Sequence, residues 1–511
     1  MMSNMVDISS NSVFSEKEDF NEFLLQFKES IKTEFDKWNS CEKQLITRGY
    51  PKEFLNKIMS HKPLSVAIPK QFGGRGMKVS ECLGILEAAS YESLSLSLIF
   101  GINIALFLEP FHRYGDDSLK KSVYNDFLNN QAMGGLMISE PLHGSDALNM
   151  KTSHEKKDNH YHINGLKHWQ GLTGMADYWL IACRESLSEG NLSKDISLFM
   201  SNEAEPAQKI DVLEIYSNFG LFPIPYGKNK LDIKLPLNSK LIPKSSGIIM
   251  LMDVLHRSRM QFPGMGMGFL KRLLEEAQAQ VESRHIRGNS LLQFDQVKYN
   301  ILQLQSAFTI CSAMCFKSAQ ISGVEHDLAR HGLQANAIKA LVTELMQRAS
   351  QILIQLQGAN GYRISSLGSR AIMDSRPFQI FEGPNEMLFS QVAESVIKIM
   401  KKKSFSCLGD YFKSDHKMQE AYDRYKHYLD FNIDLKVSQR KLVRLGEIIS
   451  RVLIAQYICE LRDAGYNSGL AEATLDCLGQ EISAYANSYV QHKGVMPVDY
   501  YQEDSNWSTY V

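Results

Sequence analysis

The chain has 511 residues, of which 44% are hydrophobic and 22% are charged. This composition is that of a globular protein large enough for two to four packed units. Its 56 basic and 57 acidic side chains leave a net charge of −1, which argues against a nucleic-acid partner or an anionic membrane surface.

The eight cysteines are scattered along the chain, and only Cys311 and Cys315 are close together. A spacing of four residues in a helical pattern places both thiols on one face of a helix, unlike the spacing of a zinc knuckle, so we expect no metal site. The first residues lack a basic segment followed by an apolar core, so we expect no secretory signal. Scattered thiols and no secretory signal predict a cytoplasmic protein.

The first part of the chain, residues 1–130, predicts an all-helical domain. Apolar side chains recur at helical spacing from Phe20 to Phe35. The most apolar run extends from Leu98 to Leu108 and contains a glycine and an asparagine. This run is too short to span a bilayer, so it predicts a buried helix.

Residues 131–250 carry nearly all the strand signals and predict a β-domain. Asn164-Gly165 supplies the positive φ values that a type I′ turn needs, so the segment 160–169 predicts a β-hairpin. Two further segments have the apolar run or the alternation of a strand: 177–183 and 231–235.

Residues 251–403 are helical again, with three apolar stripes that predict a packed bundle. Residues 404–511 predict further helices. One of these, between Leu442 and Leu461, has a broad apolar face. Packing of this face against the bundle is favoured over an oligomer interface or a membrane contact, because the charges of the segment are too mixed for a basic interfacial helix.

A single carboxylate, Glu382, lies between an apolar pair and Gly383, in a segment bounded by Pro377 and Pro384. Prolines resist helix formation, so this segment predicts a tight, irregular loop. Apolar neighbours desolvate the carboxylate and raise its pKa, which makes it a usable base near neutral pH. The local pattern leaves an alternative, in which Glu382 caps a helix that begins near Asn385.

The stretch around Glu382 resembles the C-terminal signature of the acyl-CoA dehydrogenase family. That signature runs from a glutamine through a glycine-rich loop and an Arg-Asp pair to an aliphatic-aromatic-Glu-Gly loop. The matching positions here are Gln355, 358–362, Met373-Asp374 and 380–383. The resemblance implies that Glu382 is the catalytic base, which removes the α-proton of an acyl thioester while the β-hydrogen leaves as hydride to the flavin of FAD.

A second motif, Ile138-Ser-Glu-Pro-Leu-His-Gly-Ser-Asp146, resembles the family's Thr-Glu-Pro-x-x-Gly-Ser-Asp. The resemblance implies that Ser139 contacts the flavin ring and that Ser145 lies near the flavin phosphate and the substrate. It also implies that Trp169 packs on the flavin ring. Gly171 stands where the family has a threonine, so it offers a backbone N–H and no hydroxyl.

The resemblance extends to the helical region after the β-domain. Arg284 and Gln355 match residues that reach the flavin pyrophosphate from a neighbouring subunit, and Arg259 matches one that lines the acyl pocket. Ser258 stands where some family members carry the base, and it cannot serve as one. The implied cofactor-binding residues are Ser139, Ser145, Trp169, Gly171, Arg284, Gln355, Gly358, Gly383 and Glu386, and the implied substrate-binding residues are Ser145, His256 and Arg259.

The resemblance implies a mainly α fold with a central β-domain. An N-terminal helical domain (1–130), a middle β-barrel or sandwich (131–250) and a C-terminal helical bundle (251–403) would be followed by an extra helical extension (404–511). The implied activity is FAD-dependent α,β-dehydrogenation of an acyl thioester, carried on coenzyme A or on an acyl carrier protein. The implied assembly is a homodimer or homotetramer that passes electrons to an electron-transfer flavoprotein or another acceptor.

Two other functions fit the same residues. Hydroxyls that the family places near the flavin are missing at Gly171 and Pro384, and this change predicts an alternative, an oxidase or hydroxylase that uses oxygen. The second alternative is a non-catalytic binding protein on the same fold, against which the intact Glu382 argues.

Overall fold

The computed structural model describes residues 20–40, 42–434, 437–491, 494, 497–499 and 505–511. Its first part is helical, as predicted, and a π-helix, Ile102–Leu108, connects the fourth helix to the fifth. The helices are α1 (Phe20–Asn39), α2 (Lys52–Met59), α3 (Val79–Glu92), α4 (Leu94–Gly101), α5 (Glu109–Tyr114) and α6 (Asp117–Asn129).

The helix that contains the apolar run 98–108 extends beyond the run at both ends. This helical segment, Leu94–Tyr114, has 21 residues and is long and apolar enough to cross a membrane. Its most apolar stretch of 18 residues has a mean hydropathy of 1.8, and 94% of that stretch is buried inside the protein. The predicted buried helix is confirmed, and the polar Asn103 does not interrupt it. Its side chain donates to Ile99 O (2.8 Å) and accepts from the backbone N–H of Gly134 (2.7 Å), so its polar groups are satisfied within the core.

A seven-stranded sheet follows, in the order β1-β4-β2-β3-β7-β6, with β5 also paired to β4. The predicted strand at 177–183 is β4, which is buried from Tyr178 to Cys183, and the alternating segment 231–235 lies in β7 with its apolar side chains buried. The strands are β1 (Gly134–Met137), β2 (Ser153–Lys156), β3 (His160–Gly171), β4 (Tyr178–Glu185), β5 (Ser197–Asn202), β6 (Asp211–Ile215) and β7 (Tyr226–Pro236).

The predicted hairpin at 160–169 is wrong, because this segment is part of one continuous strand. Within β3, Asn164 pairs with Asp232 and Gly165 pairs with Leu231 of β7. A Cβ at Gly165 would lie 2.4 Å from Thr152 Oγ1, so the glycine permits a close approach of chains and does not form a turn. Pairing of β3 with both β2 and β7 outweighs the local turn preference of Asn-Gly.

A helical bundle follows the sheet, and its longest helix, α7, packs on α3 of the first domain as well as on α8 and α9. A short hairpin, β8 (His285–Ile286) and β9 (Asn289–Ser290), separates α7 from α8. The helices are α7 (Gly247–Ser283), α8 (Asp295–Ile321), α9 (Gly332–Gln357), α10 (Leu367–Ser375) and α11 (Asn385–Lys403).

The described part of the extension forms four more α-helices: α12 (Leu408–Lys413), α13 (Gln419–Leu429), α14 (Gln439–Asp463) and α15 (Ser468–Val490). As favoured above, the apolar face of α14 packs on the bundle, against α8, α9 and α11. A buried cation joins the two parts, since Arg451 Nε lies 2.6 Å from Glu481 Oε2 of α15 and Arg451 Nη2 lies 3.1 Å from Glu344 Oε2 of α9. The extension is therefore docked on the bundle by both apolar contact and ion pairs.

Candidate active site

A cavity of about 230 Å³ lies where the β-domain meets the bundle and the first helical domain. Each domain contributes a different kind of side chain to its lining. The β-domain contributes Ser139, Ser145, Trp169 and Gly171, the bundle contributes Arg259, Glu382 and Gly383, and the first domain contributes the apolar Leu98, Ile102 and Leu106.

Glu382 belongs to the base loop, which we define as residues 380–384, between a 3₁₀ turn and α11. Its carboxylate oxygen Oε1 accepts a hydrogen bond from Ser258 Oγ at 2.9 Å. Its Oε2 is buried and has no hydrogen-bond partner among the described residues. Helix α11 has no side-chain cap, so Glu382 is not the cap that the local pattern allowed. One carboxylate oxygen is therefore held, and the other is free to take a proton.

The charge of this carboxylate is set by opposing effects. Burial raises the pKa of Glu382 above its ordinary value, and Arg259, the Ser258 hydroxyl and Lys339 act in the opposite direction. Arg259 does not touch the carboxylate. Its Nε and Nη2 donate to the backbone oxygen of Glu382 at 3.0 and 2.7 Å, and its Nη1 donates to Asn336 Oδ1 at 2.7 Å. The guanidinium thus holds the base loop and favours its ionised carboxylate.

The loop that carries Ser139 and Ser145 is tied to β3 by a buried ion pair. Lys167, which is fully buried, donates to Ile138 O at 2.9 Å and to Glu140 Oε1 at 3.0 Å. Burial alone would raise the pKa of Glu140, but the charge of Lys167 and two backbone N–H donors outweigh burial, so the pKa of Glu140 is lowered. Because Lys167 precedes Trp169 by only two residues, the pair fixes the serine loop relative to the indole.

Trp169 faces the cavity because the strand is irregular at this point. The register of β3 against β7 shifts between His168 and Gln170, and Trp169 has a φ of 60°. Trp169 is 53% exposed, and the centroids of its ring and the Tyr216 ring are 4.6 Å apart. A bulge thus directs a large aromatic side chain into the cavity and away from the core.

Gly171 leaves no vacant space where the family's threonine would lie. A Cβ at this position would come within 2.9 Å of Ile102 Cδ1, on the π-helix of the first domain. A methyl group of Ile102 therefore lies beside the position that a side chain here would take. The cavity at this point is more apolar than the family pattern implies.

The cavity lining fits the isoalloxazine ring of a flavin. Trp169 presents an aromatic face, and the hydroxyls of Ser139 and Ser145 together with the backbone of Gly171 offer hydrogen-bonding groups. The isoalloxazine ring has an apolar body and one polar edge, so its site needs both kinds of surface.

The other predicted site residues lie outside this cavity. Arg284 and Gly358 are neighbours at the ends of α7 and α9, where a Cβ on Gly358 would be 3.1 Å from Arg284 Nη1; Gln355 is exposed on the last turns of α9. Glu386 is exposed in the first turn of α11. His256 is buried, and its Nδ1 lies 2.8 Å from Leu328 O in the loop that connects α8 to α9. None of these five residues lines the cavity, and all five assignments stay predictions.

Two residues near the base were not recognised in the sequence. The family pattern marks Ser258 only as a position that cannot supply the base, although its hydroxyl binds the carboxylate. Lys339 lies within an apolar stripe of α9 and was not singled out, although its Nζ donates to Gly383 O at 2.8 Å. The signal was present, since Lys339 is the only charged residue between His331 and Glu344.

Comparisons with known proteins agree with this architecture. Three family models match in sequence: the acyl-CoA dehydrogenase N-terminal domain at 18–131, the middle domain at 135–232 and the C-terminal domain at 245–397, which together cover more than two thirds of the chain. The mitochondrial isovaleryl-CoA dehydrogenase of Pongo abelii is 24% identical over 348 residues, which are 66% of this chain and 78% of that protein.

Solved structures share the fold at lower identity. A Bacillus anthracis acyl-CoA dehydrogenase complexed with FAD has a TM-score of 0.76 at 17% identity, covering 94% of this chain and 89% of that one, so the match includes most of the extension. A prolyl acyl carrier protein oxidase has a TM-score of 0.65 at 17% identity, covering 73% of this chain and 98% of that one.

Proposed function

The chain belongs to the acyl-CoA dehydrogenase family, and from this premise we propose that it is an FAD-dependent oxidoreductase that removes hydrogen from two adjacent carbons of an acyl thioester. The observation that carries the proposal is the state of Glu382. Its Oε2 is buried, lacks a partner among the described residues and belongs to a cavity that also contains Trp169. A carboxylate with a raised pKa and a free oxygen is suited to take a weakly acidic proton.

In the proposed reaction Glu382 Oε2 takes the α-proton of the thioester, while Ser258 holds Oε1. Negative charge then develops on the thioester oxygen. The backbone N–H of Glu382 is used in no backbone hydrogen bond of the described chain, so it is available to stabilise that oxygen. Trp169, Ser139 and Ser145 would hold the flavin of FAD, which would supply the acceptor for the β-hydrogen as hydride. The apolar Leu98, Ile102 and Leu106 provide a surface for the acyl chain.

The residues outside the cavity support a proposal about assembly. Arg284 and Gly358 lie together at the surface with Gln355 nearby on α9, and an arginine is suited to bind pyrophosphate oxygens. We assign this cluster to the FAD of a neighbouring subunit, in a homodimer or homotetramer. The electron acceptor, an electron-transfer flavoprotein or another carrier, and the cytoplasmic location stay predictions.

A second candidate function is oxygen-dependent oxidation on the same fold. It is favoured by the replacement of a hydroxyl position by Gly171 and the methyl group of Ile102, which changes the polarity beside the proposed ring. Pro384, the N-cap residue of α11, likewise carries no hydroxyl. Oxygen uptake on addition of acyl thioester, with no added electron acceptor, would favour this candidate over a dehydrogenase.

The proposal is tested by the visible spectrum of the purified protein and by anaerobic bleaching with a panel of acyl-CoA thioesters. We expect a flavin spectrum that bleaches with at least one thioester. The variant Glu382→Gln should keep its flavin and lose bleaching, whereas Glu394→Gln, an exposed position of α11, should behave as the wild type. A colourless protein would refute the proposal, and normal bleaching of Glu382→Gln would remove Glu382 as the base.

A further inference from the structure

The base loop is held by a second buried cation in addition to Arg259. Building on the proposed function, we propose that Lys339 is a positioning residue, which fixes the base loop through Gly383 O and supports the ionised carboxylate of Glu382. Lys339 lies on α9, separated from the loop by more than forty residues of chain. It does not line the cavity described above, so its action on the substrate is indirect.

The contacts of Lys339 are with the loop and the start of the next helix. Its Nζ donates to Gly383 O at 2.8 Å and to Asn385 Oδ1 at 3.1 Å, and the side chain is fully buried. Arg259 meanwhile donates to Glu382 O. Two consecutive carbonyl oxygens of the base loop are thus bound by two different buried cations.

The backbone of the base loop requires such support. Glu382 has a φ of 54° and Gly383 a φ of 101°, so two consecutive residues lie in the left-handed region. A residue with a Cβ is disfavoured there, and such a conformation persists only when the surrounding structure holds it. Arg259 and Lys339 bind the two carbonyl oxygens that this conformation orients.

One face of α9 contributes to both parts of this support. Asn336 accepts from Arg259, Lys339 binds Gly383 O, and Thr343 Oγ1 is 3.2 Å from Asn385 Oδ1. These three residues are spaced three and four positions apart, which places them on one face of a helix. The base loop is therefore held by α9 through Lys339 and by α7 through Arg259, whose guanidinium α9 also binds.

The charge of Lys339 has no close carboxylate partner. No ion pair within 4.0 Å joins it to an acid in the part of the chain that the structure describes, and the charged groups that act on it are Glu382, which raises its pKa, and Arg259, which lowers it. Burial dominates and lowers the pKa of Lys339 to about 7. The positive charge of Lys339 lowers the pKa of Glu382, against the effect of burial.

Removing this charge should therefore raise the pKa of Glu382. In Lys339→Met the base is protonated up to a higher pH, so the acidic limb of the pH profile moves upward. The difference in rate between Lys339→Met and the wild type is greatest below about pH 7, where the amine of Lys339 carries its charge in the wild type. The difference in rate narrows at higher pH.

The first test is anaerobic flavin reduction by the acyl-CoA that reduces the wild-type holoenzyme fastest. At about pH 6 we expect Lys339→Met to be slower than the wild type by a factor of about ten or more, with a smaller deficit at about pH 9. Lys339→Arg, which keeps the cation, should retain the wild-type acidic limb. Lys317→Met is the matched control, since Lys317 is a bundle lysine that pairs with Glu460 at 2.7 Å, away from the base loop.

The second test needs no turnover. Hydrogen–deuterium exchange of the flavin-loaded protein without substrate should be faster for peptides that cover residues 380–385 in Lys339→Met, and unchanged there in Lys317→Met. An equal loss of rate at every pH, or exchange in this segment equal to that of the wild type, would overturn the proposal. If no acyl thioester reduces the wild type, the proposed function fails, and the exchange experiment still decides whether Lys339 holds the loop.

Discussion

The hydrogen bond between Ser258 and Glu382 allows a prediction about the base that is separate from the role of Lys339. Ser258 Oγ lies 2.9 Å from Glu382 Oε1, and the serine is 3% exposed. A hydrogen bond to a charged group contributes about 1.5–3 kcal/mol. In Ser258→Ala the ionised carboxylate loses this contribution, and nothing in the described surroundings replaces the donor on Oε1.

The expected result follows from the sign of the pKa change. The hydroxyl lowers the pKa of Glu382 against the effect of burial, so its removal raises that pKa further and leaves more of the base protonated. The rate of anaerobic flavin reduction by acyl-CoA should fall about ten- to a hundredfold at about pH 6. The deficit should shrink as the pH rises and the carboxyl ionises in both proteins.

Two variants control this experiment. Ser258→Thr keeps the hydroxyl and should keep the wild-type acidic limb. Ser306→Ala removes another buried serine hydroxyl, one with no partner in the described part of the chain, and should leave the profile unchanged. An acidic limb of Ser258→Ala that coincides with the wild type would refute the reasoning, because it would show that the hydroxyl does not act on the ionised base.

Three further predictions concern the stability of the parts around the site. Gly171→Thr forces atoms against Ile102 Cδ1, where a Cβ alone would lie at 2.9 Å, so thermal melting should show a loss of about 1–3 kcal/mol. The cost of Gly171→Thr should be smaller when it is measured in an Ile102→Ala background, and an equal cost in both backgrounds would contradict the contact. Lys167→Met leaves Glu140 buried without its cation and should cost about 3–5 kcal/mol in urea unfolding at neutral pH. The pKa of Glu140 is lowered in the folded state, so its ionised form adds to the free energy of unfolding above its ordinary pKa. This contribution is lost as the pH falls through the folded-state pKa. The difference in unfolding free energy between Lys167→Met and the wild type should therefore narrow in acid. Arg451→Ala removes the cation that Glu344 and Glu481 share, although Glu481 keeps its ion pair with Arg348, so we expect a cost of about 1–3 kcal/mol. The variant should expose the extension to limited proteolysis before the rest of the chain, and wild-type resistance would show that Arg451 is not needed to dock it.

Elements whose pattern is short and repeated were predictable from the sequence. The alternation at 231–235 became the half-buried strand β7, and the broad apolar face between Leu442 and Leu461 became the buried face of α14. In both cases the period of the apolar residues matches the geometry of the element that buries them. The mainly helical fold with a central sheet is confirmed for the same reason, supported by the family motifs.

Elements whose outcome depends on distant partners were not predictable. Asn164-Gly165 has the composition of a turn, yet β2 and β7 on either side extend it into a strand. The buried helix around Asn103 was predicted, but its full length and the partner of Asn103, the backbone N–H of Gly134 in the first strand, were not. A local preference decides a conformation only when no stronger tertiary contact opposes it.

The sequence by itself determined which residue could be the base, since Glu382 stands in a proline-bounded loop and in a motif whose order is retained. Only the tertiary structure decided how that acid is set for proton transfer: Ser258, 124 positions away, binds one carboxylate oxygen, and Arg259 and Lys339 bind two successive backbone carbonyls. Burial and charge depend on distances in space between groups that are far apart in the chain, and no local pattern of residues contains those distances.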